Sequence, residues 1–208
     1  MRSIAKGREP RSLTLHRLLP HATYANYQDK AELRNFLVQE QRGLCCYCMR
    51  RIRSDDRRTT VEHWHPQSLY PNEQLDYHNL LAACSGKTDG CLHCDASKAN
   101  KNLSRNPGDS QHEVEKIIRY KPNGEVASND THFDAELTAV LKLNLPFFVN
   151  NRKAMLDGFT AALRRKGAVP LKRRELENLI KKWSGQGGDL DEYCQVIIYW
   201  LQKRLRRF

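Results

Sequence analysis

Three short stretches decide how this chain is read: Val61-Glu62-His63-Trp64-His65-Pro66, Asn79-Leu80-Leu81-Ala82-Ala83-Cys84 and Cys94-Asp95-Ala96-Ser97-Lys98, with Leu44-Cys45-Cys46-Tyr47-Cys48 upstream. Residues 59–64 are β-branched and aromatic and Pro66 stops them, which predicts a strand running into a loop. Residues 79–84 are a short apolar segment. The run from Asp95 predicts a helix with Asp95 as its N-cap. The centre of the chain therefore reads as an α+β unit of two strands and a helix, embedded in a mainly helical chain.

The cysteines stand at positions 45, 46, 48, 84, 91, 94 and 194. An odd count, gathered in C-x-x-C pairs behind no secretory leader, argues against a disulfide framework and for a metal in a reducing cytoplasm. Cys45-x-x-Cys48 and Cys91-x-x-Cys94 have the knuckle spacing of a structural zinc site. Cys84 also stands in position, so five cysteines compete for four places. Cys46 and Cys194 read as small packed apolar residues.

Glu62, His63 and Asp95 form a second set. An imidazole of ordinary pKa near 6.5 takes a proton from water at neutral pH. Two carboxylates suit a hard ion such as Mg2+ or Mn2+, which keeps positions for phosphate oxygens. Read locally, the same histidines also fit a zinc-ligand pair or a packed core residue.

These residues resemble the HNH (ββα-metal) endonucleases, whose pattern is Asp/Glu-His-x-x-Pro, then Asn-Leu-x-x-x-Cys, then Cys-Asn/His/Asp-x-x-Lys. The match covers residues 43–104 in order. With Ile4-Ala5-Lys6, Glu9-Pro10 and the run from Gln41 to Cys48, the chain looks like a PtuB-like HNH subunit of Septu-type and retron-associated antiphage systems. The resemblance implies a nuclease effector acting beside an ABC/SMC-like (PtuA-like) ATPase, with nucleic acid as substrate: DNA by preference, or tRNA or other structured RNA. A retron reverse transcriptase and its multicopy DNA are further partners it implies.

Carried over, His63 is the general base, Glu62 and Asp95 hold the Mg2+ or Mn2+, and Asn79 orients the loop. Lys98 lies near phosphate or packs on the loop. Asp95 stands where His or Asn is commoner, which favours a hard ion. Family alignment pairs Cys84 with Cys94 in the zinc site, whereas chelate spacing pairs Cys91 with Cys94.

The chain carries 35 Lys and Arg against 24 Asp and Glu, a net charge of +11, which points to a polyanionic partner. Arg50, Arg51, Arg53, Arg57 and Arg58 lie between the first cysteine knuckle and the predicted strand, offset by Asp55 and Asp56, and suit a phosphate backbone. No apolar run approaches a membrane span.

Outward from this centre, residues 1–28 read as an extended arm with little core, its helices broken by Pro10 and Pro20, and free to dock on a partner. Residues 29–130 read as the nuclease core, with an amphipathic helix over 29–42 carrying Leu33, Phe36 and Leu37. Pro122-Asn123-Gly124 marks a hairpin near 115–130. Residues 131–208 read as helical, with stripes over 135–143, 152–166, 172–183 and 189–206 separated at Pro146, Gly167/Pro170 and 185–188. Two other functions fit the residues: a zinc-stabilised nucleic-acid-binding adaptor without catalysis, and a stand-alone restriction-type nuclease.

Overall fold

Pro10 starts a helix rather than breaking one. Its fixed φ and missing amide donor suit the residue just before a first turn, and α1 (Arg11–Arg17) follows directly. The computed structural model of the chain describes residues 1–208 except 56, 166, 168–170 and 186. Asp56, Lys166, Pro170 and Gln186, which enter the sequence reading, lie outside the described residues.

The extended arm expected at 1–28 is corrected. Met1, Leu13 and Tyr27 are buried in the main core cluster. The Ile4 amide donates to the Pro107 carbonyl at 2.7 Å, and Lys6 Nζ donates to Glu40 at 2.7 Å and to the Leu80 carbonyl at 2.9 Å. Leu15, Leu18 and Leu19 stay exposed, but the buried apolar side chains and the fixed polar partners dock the segment on the core.

Helix α2 (Lys30–Glu40) buries Leu33, Leu37 and Val38, and Phe36 is half-buried at its flank. The turn at 45–48 comes next, closed by a Cys45 amide bond to the Arg50 carbonyl at 2.9 Å. Strands β1 (Thr59–His63) and β2 (Leu80–Cys84) pair antiparallel, from Thr59 opposite Cys84 to His63 opposite Leu80. This sheet has two strands, so the outer edge of β2 needs other partners. Gln41 supplies them: its Oε1 accepts from the Ala82 amide and its Nε2 donates to the Ala82 carbonyl, both at 2.7 Å.

A small hairpin follows, β3 (Lys87–Thr88) with β4 (Cys91–Leu92), and then α3 (Cys94–Lys98). His93, not Asp95, is the N-cap of α3. Asp95 is unavailable for capping because its Oδ2 accepts from the Thr60 hydroxyl at 2.9 Å.

Helix α4 (Val114–Ile117) leads into β5 (Ile118–Tyr120) and β6 (Val126–Ser128), the hairpin expected at Asn123-Gly124. Gly124 has φ of +94°, and a Cβ there would lie 2.1 Å from the Val149 carbonyl oxygen, so the turn requires glycine.

Four helices complete the chain: α5 (Thr131–Ala139), α6 (Pro146–Arg165), α7 (Arg173–Ser184) and α8 (Cys194–Leu205). The first begins earlier than its apolar stripe because Asp130 caps it, accepting from the His132 and Phe133 amides. Pro146 opens α6 instead of separating two helices. Leu176, Ile197 and Leu201 bury where α7 meets α8, with Trp183 and Trp200 packed against them. No helix among the described residues is long and apolar enough to cross a membrane.

The packing of α1 is testable. Truncation of fully buried Leu13 by Leu13→Ala should cost about 2–5 kcal/mol in urea-induced unfolding. A cost under about 0.5 kcal/mol, as for a surface site, would mean that the segment is undocked.

Candidate functional site

Three elements meet at one cluster of thiols. The turn contributes Cys45 and Cys48, the end of β2 contributes Cys84, and the start of α3 contributes Cys94; all four Sγ atoms lie within 4.8 Å of one another. Cys48 and Cys84 are 3.8 Å apart. A tetrahedral zinc with bonds of about 2.3 Å has sulfur–sulfur edges of about 3.8 Å, so the spacing fits. Cys91 sits exposed on β4, outside the cluster, because the β3–β4 hairpin carries it away. The four close cysteines can hold a metal such as zinc.

Burial pushes the Cys48 and Cys94 thiols well up. Burial would raise Cys45 too, but hydrogen bonds from Cys46, Cys48, Cys84 and Cys94 hold it well below the usual thiol value. Protons therefore crowd this site, and a dication that displaces them couples binding to proton release. Cys46 and Cys194 are buried in apolar clusters.

The second set gathers at the other end of β1. Thr60 and Glu62, two residues apart, share a face of the strand, and α3 brings Asp95 and Lys98 to it. Glu62 Oε1 accepts from the Tyr47 hydroxyl at 2.8 Å and pairs with Lys98 Nζ at 2.9 Å. Lys98 also donates to the His63 carbonyl at 2.8 Å. Burial and a hydrogen bond with Asp95 push the Glu62 carboxyl well up, against the pull of Lys98. Lys98 is the cation that offsets, in part, the mutual repulsion of the two carboxyls.

His63 is held as one tautomer. Its Nε2–H donates to the Gln74 carbonyl at 3.0 Å, leaving Nδ1 to accept from the Gln67 amide at 3.2 Å. The Tyr24 ring meets it edge-on with centroids 4.6 Å apart. Burial lowers its pKa to about 4, against the Gln74 bond, so the imidazole is neutral at neutral pH. Asn79 grips His65 from both sides, accepting from its amide at 2.7 Å and donating to its carbonyl at 3.1 Å. His65 itself is stacked between Trp64 and Tyr70 and bonded to Glu73 at 2.6 Å, while His78 is exposed. His112 is half-buried and accepts from the Asn106 amide.

A cleft of about 630 Å³ adjoins the thiol cluster, lined by Arg50, Arg53, Arg58, Lys87, Asp89 and Glu192 among others. Arg53, Arg57 and Arg58 are exposed. Two residues expected to bind nucleic acid are used differently. Arg51 pairs with Asp189 at 3.1 Å, bonds the Leu190 carbonyl and gives its amide to Glu192 at 2.6 Å, which ties the turn to the segment before α8. Lys98 is 1% exposed, and its charge is spent inside.

Sequence reasoning missed Tyr24, Tyr47, Thr60, Gln67 and Gln74. Strand alternation with Glu62 marks Thr60, and the knuckle itself contains Tyr47. Tyr24 and Gln74 reach His63 through tertiary packing and carry no local signal. Neither any family model nor any curated protein matches the chain.

Two outcomes test the site. The purified chain should hold about one zinc, lost in Cys84→Ser and kept in Cys91→Ser, by metal analysis; retention in Cys84→Ser would remove that ligand. For His63, the folded value of about 4 lies below the unfolded value near 6.5, so the folded state binds fewer protons. Its stabilising contribution is full above pH 6.5 and lost as pH falls through 4. Urea stability of the wild type relative to His63→Gln should decline across that window, and a constant gap would mean an ordinary, solvated imidazole.

Proposed function

We propose that the chain is a divalent-metal-dependent HNH-type endonuclease that hydrolyses phosphodiester bonds. The observation that carries this reading is the meeting of Glu62 and Asp95 where two antiparallel strands and a short helix converge, with His63 next to Glu62 on β1, its backbone tied to the same Lys98, and four cysteines nearby. The resemblance in the Glu-His, Asn-Leu and Cys-Asp-x-x-Lys stretches supports it, and the ββα-metal architecture belongs to the same proposal.

His63 takes the proton of the attacking water at Nδ1, once Gln67 yields that nitrogen, while the Gln74 carbonyl keeps the proton on Nε2 in place. Glu62 and Asp95 are the residues that would hold Mg2+ or Mn2+, which supplies charge neutralisation at the scissile phosphate and its leaving oxygen. Lys98 keeps Glu62 oriented and ties it to the His63 backbone. Asn79 fixes the loop after the base. Arg50, Arg53, Arg57 and Arg58 offer the positive surface that a phosphate backbone requires.

On the wider resemblance, we place this nuclease in the cytoplasm as the effector of an antiphage complex with an ABC/SMC-like ATPase, and with a retron reverse transcriptase and its multicopy DNA where such a system supplies them. DNA is the favoured substrate, with tRNA as the alternative. The adaptor reading keeps one observation of its own: Tyr47 and Lys98 already satisfy Glu62 internally.

Cleavage of plasmid DNA and total tRNA, with and without the ATPase and in Mg2+ or EDTA, decides between them. Metal-dependent cutting should fall by about 10²–10⁴-fold in His63→Ala while binding persists. Cutting unaffected by the substitution would end the assignment of His63. Binding without cutting by the folded, zinc-loaded chain and its ATPase would establish an adaptor.

A further inference from the structure

The cationic cleft and the thiol cluster are joined by an unbroken hydrogen-bond chain. Arg50 Nη1 donates to Thr88 Oγ1 at 2.9 Å. Thr88 Oγ1 lies 3.0 Å from His93 Nε2, and His93 Nδ1 lies 3.9 Å from Cys84 Sγ. Thr88 accepts from a guanidinium that has only donors, and its own proton remains free to donate to His93 Nε2. With Cys84 as a metal-bound thiolate, which only accepts, the imidazole proton sits on Nδ1 facing the sulfur and Nε2 takes the Thr88 hydroxyl proton. His93 is 1% exposed, its ring meets Phe148 edge-on at 4.9 Å, and its amide donates to the Gly86 carbonyl at 2.8 Å. The ring has no freedom to leave this alignment.

Arg50 spends one of its N–H groups on Thr88 and has the Phe147 ring 5.9 Å away. The rest of its donor fork lines the same cleft as Arg53, Arg58 and Lys87. An arginine held on one edge loses less side-chain freedom on binding, and the planar fork suits two oxygens of one phosphate.

We propose that Thr88 and His93 are positioning residues that hold Arg50 as a phosphodiester-binding group, anchored on the metal-site thiolate of Cys84. This rests on the nucleic-acid reading above and adds to it a defined phosphate subsite at the Cys84 end of β2, with the metal centre as its foundation. The β3–β4 hairpin, which the family pattern leaves as an insertion, carries the middle of the relay.

Binding of a short fluorescein-labelled DNA duplex, followed by anisotropy between about 50 and 200 mM salt, tests it. Thr88 lies on a half-exposed hairpin, so Thr88→Val should fold, keep its zinc and bind about fivefold more weakly, the effect of one hydrogen bond. Its salt slope should match the wild type, because every cation remains. Arg50→Gln should weaken binding and reduce the slope by about 0.9, one phosphate contact. In the Arg50→Gln background, Thr88→Val should then have no further effect. His93→Gln, provided that metal analysis shows zinc retained, should reproduce Thr88→Val.

A Thr88→Val chain that binds as the wild type does, or whose loss persists undiminished without Arg50, overturns the positioning role and leaves the nuclease reading intact. A zinc-loaded wild type that binds neither the duplex nor total tRNA at low salt overturns both.

Discussion

The four-thiol cluster is the constraint on which the rest of this structure depends. A two-stranded sheet is marginal by itself in water, and the five residues of α3 are far too few for an independent helix. Yet β1, β2 and α3 together carry Glu62, His63, Asp95 and Lys98. Cys45 and Cys48 from the turn, Cys84 from β2 and Cys94 from α3 bring these weak elements to one centre that can hold a metal. A structural zinc in such a set would contribute about 10–16 kcal/mol of apparent binding energy, comparable with the whole stability of an ordinary domain. Gln41 completes the frame by hydrogen-bonding the strand edge that no third strand covers.

Inside this frame the chain buries charge that a core alone would reject. Glu62 and Lys98 are both nearly inaccessible, and removing either leaves an uncompensated buried ion. Their pairing is a weak argument for stability, because an apolar pair of equal volume is often at least as stable. It is a better argument for position. Lys98 bonds both Glu62 and the His63 carbonyl, so one side chain from α3 registers two consecutive residues of β1. Tyr47 reaches Glu62 from the cysteine turn, and burial beside that carboxylate pushes its phenol well up, so it remains a donor. The metal site and the carboxylate site are thus parts of one hydrogen-bonded body.

Much of this was legible in the sequence for local reasons. Strand β1 announces itself by β-branched residues before a proline, the β5–β6 hairpin by Asn123-Gly124, and three of the four clustered thiols by their cysteine pairs. Legibility failed where a local rule met a tertiary competitor. The Cys91-x-x-Cys94 spacing is good chelate chemistry, but the β3–β4 hairpin carries Cys91 away and leaves Cys84 in its place. Asp95 is a good helix cap by type, but Thr60 claims its carboxylate. Arg51 and Lys98 look like phosphate binders because charge usually means surface. Each is instead taken up by carbonyls and carboxylates that lie far away in sequence. The first 28 residues read as an arm broken by prolines, yet Met1, Leu13 and Tyr27 find the core, and Tyr24 meets His63.

The charge around β1 is distributed unequally along its length, and this constrains how a polyanion approaches. The cleft near Thr59 carries Arg50, Arg53, Arg58 and Lys87. A second cleft of about 580 Å³ opens near the His63 end, lined by Glu73, Asp76 and Asp109 together with Trp64 and His65. Thr59 and His63 are four strand steps apart, about 13 Å at ~3.3 Å per residue. A phosphate backbone is therefore attracted at one end of the strand and repelled at the other, with Glu62 and Asp95 between. On the proposed reading, the substrate enters over the arginines and meets the carboxylates from that side only. The acidic cleft is then left for uncharged parts of a substrate or for none, because phosphate placed there would face three carboxylates against Lys6, which is already paired with Glu40.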